Sequence, residues 1–426
     1  MERFEPNIER IRRDIFKFSE FVSPHEQGYT RISFSKEDRE ARAYVTRLMT
    51  EEAGLKVRID TAGNIIGRKE GKMSGPAILT GSHVDTVRGG GRFDGISGVV
   101  AAVESMRRFG ELNVENIHPI EVVVFLAEEP SPFGLSTIGS RAMAGKLSEE
   151  QLSTLRDDTE RSLAEAIAQM GGSPEQIDRA RRSRDDTLAY LELHIEQGPH
   201  LHTQAVQIGA VTGIVGIWRA NIEVVGRNDH AGTTPMGLRK DALAAAAEVV
   251  LALEKICAGS DGVVGTIGRV EVFPNALNVI PGRVLLGMEV RSLHEYTIER
   301  VRSSFETELE RIMQERGISI TFELWKSSKP VLFPSTMVSH ITSICRRLGL
   351  TYAEVPSQAG HDANHLAEIA PTGMIFVPSR DGRSHCPEEW TEFEEIAPGT
   401  EVLATTIYEI DKNGLPLGDR SGERPR

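Results

Sequence analysis

PAILTGSHVDTVRGGGRFDGISGVV, Pro76 to Val100, reads as an apolar strand, a glycine-rich turn and the start of an apolar helix. Aliphatic residues bounded by turn formers mark the strand, and ISGVVAAVESMRRFG carries the helix onward. The next apolar run, HPIEVVVFLAEE (His118 to Glu129), reads as a second buried strand rich in β-branched residues. Strand, helix and strand in that order predict an α/β layered sheet. A charged, helix-favouring stretch from 145 to 186, broken at Gly171 to Pro174, reads as an excursion before the apolar strand LAYLELHIEQGP (Leu188 to Pro199).

A different pattern begins near Gly213. RANIEVVGRNDHAG, GTIGRVEVF, RVLLGMEVRS and ISITFELW are strand-like, and DALAAAAEVVLALEKIC and TIERVRSSFETELERIMQERG are helical. Their order, strand, helix, strand, strand, helix, strand, is the ferredoxin-like pattern of one sheet with two helices on a face. The strand-like IAPTGMIFVP then resumes the first pattern. The chain is therefore expected to hold a large domain, residues 1–214 and 330–426, with a small one, 215–329, inserted into it.

A length of 426 residues also favours two domains. The formal net charge of −13 argues against a nucleic-acid partner, which would need a basic footprint. No run approaches the roughly 18 apolar residues that cross a bilayer. The charged helix-like N-terminus, MERFEPNIERIRRDIFKFSEF, lacks the apolar core of a signal peptide. Three scattered cysteines form neither a disulfide framework nor a zinc motif. A cytoplasmic location is the expectation.

Alternate residues of a strand share a face, so His83 and Asp85 converge at the end of the first strand. That pairing suits a metal-bound imidazole and a nearby carboxylate that orients it or its neighbours; it also suits polar turn residues. Gly89, Gly90 and Gly91 would let the backbone approach an ion, and Asp94 opens the next helix. Glu128 and Glu129 follow the second strand directly, where open α/β sheets place ligands, so one acid can ligate while the other serves as general base. His194 ends a strand and His385 follows one. Together these suggest two metal ions, each with one His and one terminal carboxylate, bridged by Asp94.

GSHVDTVRGGGRFDG, AEEPSPFGLSTIGSRAMAG, LELHIEQGP, TGIVG, DHAGTTPMGLRKDAL, PNALNVIPG and AGHDANHLAEIAPTGMIFVPSRDGRSHCPEE span nearly the whole chain. In this order they resemble the metal-dependent amidohydrolases that include N-carbamoyl-L-amino-acid hydrolases, β-ureidopropionases and allantoate amidohydrolases. Those enzymes are relatives of the dinuclear zinc exopeptidases. The resemblance implies a zinc-exopeptidase-like α/β/α catalytic domain with the ferredoxin-like insertion as lid and dimerisation domain. It implies metal ligands at His83, Asp94 (bridging), Glu129, His194 and His385, with Glu128 as general base and Asp85 as the carboxylate behind His83. It further implies a homodimer in which His230 reaches across to stabilise an oxyanion over the neighbouring metals. Asn278 and Arg291 would clamp a substrate carboxylate, and Gln197 and the backbone around Gly360 and His361 would make further contacts. The two divalent ions could be zinc, manganese, cobalt or nickel.

The implied reaction is hydrolysis of a C–N bond in a small carboxylate-bearing molecule, first an N-carbamoyl-L-amino acid. Allantoate, or another C–N substrate such as an N-acyl amino acid or an aromatic amino-carboxylate, is the rival within the class. A non-catalytic metal-binding module is the rival outside it, and would not need Glu128. Two stretches depart from the family's usual pattern: Pro130, Ser131 and Pro132 after the paired glutamates, and Gln358 with Asn364 around the Gly360–His361 turn.

Overall fold

The computed structural model of the chain describes residues 3–415. One compact unit runs to Thr212 and resumes at Phe333; the other is Gly213–Leu332. These junctions lie beside the positions 214/215 and 329/330 read from the sequence.

The first unit opens with strands β1 (Lys56–Ile59), β2 (Ile65–Lys69), β3 (Ala77–His83), β4 (Ile120–Phe125), β5 (Thr187–Ile195) and β6 (Ile208–Ile214). The second holds β7 (Gly216–Val225), β8 (Asp229–His230), β9 (Val263–Phe273), β10 (Val279–Ile280), β11 (Arg283–Ser292), β12 (Ser319–Ser328) and β13 (Val331–Leu332). The first unit resumes with β14 (Tyr352–Ser357) and β15 (Thr372–Val377).

In the first unit the strand order is β1-β2-β4-β3-β5-β15-β6, with β14 also pairing β6. Four neighbours, β4, β3, β5 and β15, run parallel. All residues of β3, β4 and β15 are buried, as expected of parallel strands covered on both faces. The helix Ile96–Glu111 forms the crossover from β3 to β4, and it packs with the long helix Phe393–Asn413 over β5. After β4 the chain returns to the other side of β3 to lay down β5. The direction of sheet building therefore reverses between β3 and β5, and open α/β sheets bind ligands outside the carboxyl ends at such a switch point.

The stretch 145–186 forms the short helices Glu149–Thr154 and Leu163–Gln169 and a 3-10 turn at Pro174–Ala180. Leu152, Leu163, Ile167 and Ile177 give it a core of its own with Phe133 and Ile138.

In the second unit the sheet order is β12-β7-β11-β9, all antiparallel, with helices Ala242–Ala258 and Glu295–Arg316. Numbered within the unit this is 4-1-3-2, the ferredoxin-like arrangement. Alternate residues of β7 and β11, among them Trp218, Ile222, Leu286 and Val290, are buried with Val249 and Phe305 of the helices. The other alternating set, Arg219, Asn221, Glu289 and Arg291, stands on the opposite face.

Candidate active site

Each parallel strand ends at one edge of the sheet, and each delivers one chemical group there. β3 ends on His83; β4 is followed by Glu128 and Glu129; His194 is the penultimate residue of β5; His385 lies beyond β15. Asp94 is brought in by the turn between β3 and its crossover helix. Gly95 follows it at φ +67°, and a Cβ there would strike the His83 ring, so only glycine passes.

Asp94 stands at the centre. Its Oδ1 lies 3.1 Å from His194 Nε2 and 3.7 Å from His83 Nε2, and its Oδ2 lies 2.9 Å from His385 Nε2. Glu129 Oε1 is 3.4 Å from the same His385 nitrogen. Two donor groups of metal-binding compactness result, His83–Asp94–His194 and Asp94–Glu129–His385, sharing Asp94. The expected division of one His and one terminal carboxylate per ion differs from this: His83 and His194 end adjacent strands and fall on one side of Asp94 together. Glu192, His194 and His361 form a third close group.

The imidazoles are oriented from behind. His83 Nδ1 bonds the Asp85 backbone carbonyl at 3.0 Å, and His194 Nδ1 that of Ile195 at 2.9 Å, so both present Nε2 to Asp94. The Asp85 carboxylate stands behind His83 and also orients its neighbours. Its Oδ1 is 3.7 Å from His83 Nδ1, while its two oxygens accept the backbone N–H groups of Glu128 (3.3 Å) and Glu129 (3.1 Å). The carbonyl of the same residue satisfies the imidazole, which leaves the carboxylate to hold the turn after β4. That turn needs holding, because Ala127 sits at φ +52°.

Asp85, Asp94, Glu128 and Glu129 are all buried. Burial and mutual repulsion push the Glu128 and Glu129 carboxyls well above their ordinary range. Burial acts the same way on Asp94, but hydrogen bonds from His194 and His385 overcome it and hold its carboxyl well below that range. His194 is pushed up to about 9, its burial outweighed by Asp94. Burial pushes His361 down, and its ring meets that of His194 edge to face with the centroids 4.5 Å apart. So many acids without a cation partner would be costly, whereas carboxylate and imidazole donors facing one point are what a divalent ion requires. The residues fit a metal centre.

Gln197, at φ +58°, donates from Nε2 to Asp94 Oδ2 at 3.0 Å; its Oε1 is buried without a hydrogen-bond partner among the described residues. His361 Nε2 lies 2.9 Å from Ser357 Oγ, and Asn364 accepts the His361 backbone N–H at 2.9 Å. Asn364, one of the departures, thus serves the turn that carries His361. Ser131, another, turns its loop by bonding the Leu135 carbonyl, which seats Phe133 against Phe34. Gly360 is exposed, as is Gln358.

In the second unit, His230 on β8 is exposed and pairs with Val279 on β10. Its Nδ1 accepts the backbone N–H groups of Gly232 (3.0 Å) and Thr233 (3.2 Å), which leaves the ring proton on Nε2 as a donor. The Asn278 carbonyl accepts the Ala231 N–H at 3.0 Å. Arg291 Nε donates to Glu289 at 2.5 Å, and Glu289 also receives Arg219.

Acids and imidazoles gathered at the carboxyl ends of the parallel strands are the donor set of a divalent-metal centre, as metal-dependent hydrolases use. The chain belongs to peptidase family M20/M25/M40, whose model matches residues 79–409. It is 41% identical to an N-carbamoyl-L-amino acid amidohydrolase of Geobacillus stearothermophilus over 94% of this chain and 98% of that protein. It is 33% identical to the allantoate amidohydrolase of Escherichia coli K12 over 92% of this chain and 95% of the other. The crystal structure of an amidase of the hydantoinase/carbamoylase family from Burkholderia multivorans superposes with a TM-score of 0.90 at 32% identity, covering 97% of this chain and all of that one.

Some site features were missed by sequence reasoning. Glu192 accepts Ser82 Oγ (2.8 Å) and Tyr190 OH (2.9 Å), Asp362 accepts Ser140 Oγ (2.5 Å), and Glu389 reaches the Asp94 turn. Glu192 shares a face of β5 with His194 by the two-residue period, a signal that was available. Asp362 and Glu389 carried no such sign. Of the glycines of the opening stretch, Gly89 turns the chain at φ +65°, and Gly91 has a further reason to lack a side chain: a Cβ there would occupy the space of the Glu389 carboxylate.

Among the described residues, no helix is long and apolar enough to cross a membrane.

Proposed function

We propose that the protein hydrolyses an N-carbamoyl-L-amino acid to the L-amino acid, carbon dioxide and ammonia. The observation that carries the hydrolytic part is the position of Glu128. It is buried 3.7 Å from His83 Nε2 yet stands outside both donor groups around Asp94, so it is the carboxylate left over for proton transfer. The Geobacillus relative supports the carbamoyl substrate, and the E. coli relative makes allantoate the alternative.

His83, His194, Glu129 and His385, with Asp94 shared, would hold two divalent ions, which when bound polarise the scissile carbonyl and acidify water. Glu128 takes the proton from the attacking water and returns it to the departing nitrogen. Asp85 keeps Glu128 and Glu129 in place through their backbone N–H groups. His230 donates from Nε2 to the developing oxyanion, acting from the partner subunit of a homodimer. Arg291, its guanidinium held by Glu289, and Asn278 bind the substrate carboxylate, and Gln197, Gly360 and His361 make further substrate contacts. The inserted unit serves as lid and dimerisation surface. Three free cysteines fit a reducing, cytoplasmic location.

Ammonia release from the protein reconstituted separately with manganese and zinc tests the substrate. The panel holds N-carbamoyl-L-amino acids, their D-enantiomers, allantoate, aminobenzoates and N-acetyl amino acids, the last followed by release of the free amino acid because their hydrolysis yields acetate and no ammonia. Turnover confined to the L-carbamoyl compounds is expected. Turnover of allantoate alone would move the substrate while keeping the mechanism.

The role of His230 has its own test. Asp94→Ala and His230→Ala proteins, each inactive, should recover activity when mixed under conditions of subunit exchange, because one of the two sites in a hybrid dimer is intact. Demonstrated exchange without recovery would remove His230 from the partner's site.

A further inference from the structure

We propose that Glu389 is a positioning residue that ties the Asp94 turn to the His385 loop and thereby sets the metal affinity of the Asp94–Glu129–His385 group. This rests on the ligand reading above.

Glu389 and its neighbour Glu388 have opposite surroundings. Glu388 is exposed and pairs with Arg383, whereas Glu389 is 1% exposed. Its Oε1 accepts the backbone N–H of Phe93 at 2.8 Å and of Asp94 at 3.1 Å, and its Oε2 accepts Ser384 Oγ at 2.7 Å. One carboxylate therefore bonds the backbone of one proposed ligand and the residue preceding another, which are far apart in sequence. Beside it the Phe93 and Trp390 rings pack edge to face at 5.2 Å, an apolar contact running parallel to the polar one.

The cost of the arrangement is visible on the other side. A buried carboxylate held by N–H and O–H donors, with no ion pair among the described residues, is an expensive way to join two loops, and an apolar contact would join them more cheaply. What the carboxylate adds is direction. By fixing the amide of Asp94 it fixes where that side chain starts, and by holding Ser384 it fixes where the His385 imidazole starts. His385 Nε2 and Asp94 Oδ2 consequently meet at 2.9 Å although His385 is half-exposed and sits at φ +55°. Gly91 belongs to the same device, since any side chain there would displace the carboxylate.

The test is manganese binding to the full-length, metal-stripped protein, followed by equilibrium dialysis with elemental analysis, alongside the melting temperature of the metal-free form. Glu389→Ala should raise the dissociation constant of at least one of the two bound manganese ions 10–100-fold, the usual loss when a group supporting a ligand is removed. Glu389→Gln keeps an oxygen for the two N–H groups and should stay within about threefold of wild type. Gly91→Ala should reproduce the loss, and Gly91→Ala with Glu389→Ala should be no worse than either alone, since both break one link. Ser384→Ala removes one hydroxyl without opening a core cavity, and should weaken binding several-fold; it decides the matter where the alanine at 389 does not fold. Wild-type manganese affinity in Glu389→Ala, or in Ser384→Ala if that is the folded variant, overturns the proposal. So does a lower melting temperature with unchanged metal affinity, which is a structural role only. Asp94→Ala and His385→Ala serve as controls: wild-type manganese binding in these would instead refute the ligand reading itself.

Discussion

Glu128→Gln is expected to lower kcat by 10²–10⁴-fold, about 3–5 kcal/mol of barrier, while the protein binds as much metal as wild type. The amide has the size and shape of the carboxylate but cannot take a proton from water. The Glu128 backbone N–H, held by Asp85, is untouched by the change, so the turn after β4 stays in place. KM should move little, because the loss falls on proton transfer rather than on binding. Steady-state ammonia release and metal analysis on one preparation measure both halves. Turnover within a few-fold of wild type would assign the proton transfer to another group.

Asp94→Ala is expected to abolish turnover by the opposite route, through loss of metal. Asp94 is the one carboxylate common to both donor groups, so its removal leaves His83 with His194, and Glu129 with His385, each short of a ligand. Metal affinity should fall by more than the 10–100-fold typical of supporting residues. In wild type, metal at 100 times its dissociation constant should add about 2.7 kcal/mol of stability per bound ion, and this increment should vanish in the variant. Metal uptake should also release protons. Burial and the nearby acids raise the Glu129 carboxyl above its ordinary range and His194 is pushed up to about 9, so a proton competes with the metal at both. Affinity should therefore fall as pH falls. Calorimetry in buffers of different ionisation enthalpy measures the proton count, and uptake without proton release would mean that these two groups are not ligands.

How much of this was readable beforehand varies with the kind of interaction. The parallel strands were legible because burial on both faces leaves continuous apolar runs such as VVVF in β4, and the inserted unit because its helices and strands alternate in a distinctive order. β1, β2, β6 and β14 were not read: β1 and β2 are short, β14 is half-exposed, and β6, though buried, pairs with β14 and β15 far along the chain.

The sequence by itself determined which side chains the chemistry has at hand and at which strand ends they stand, because a strand's direction and its two-residue period are local properties. It could not decide how those groups associate. That His83 and His194 share one side of Asp94 follows from the adjacency of β3 and β5, which are separated by more than a hundred residues of chain. Asp85 looked like the partner of His83 from its spacing, yet its carbonyl reaches the ring and its carboxylate reaches the next strand's turn. Glu389 looked like any acid in a charged loop until folding buried it under the Asp94 turn. Hydrogen bonds between distant segments depend on where the backbone comes to rest, and only the tertiary structure sets that.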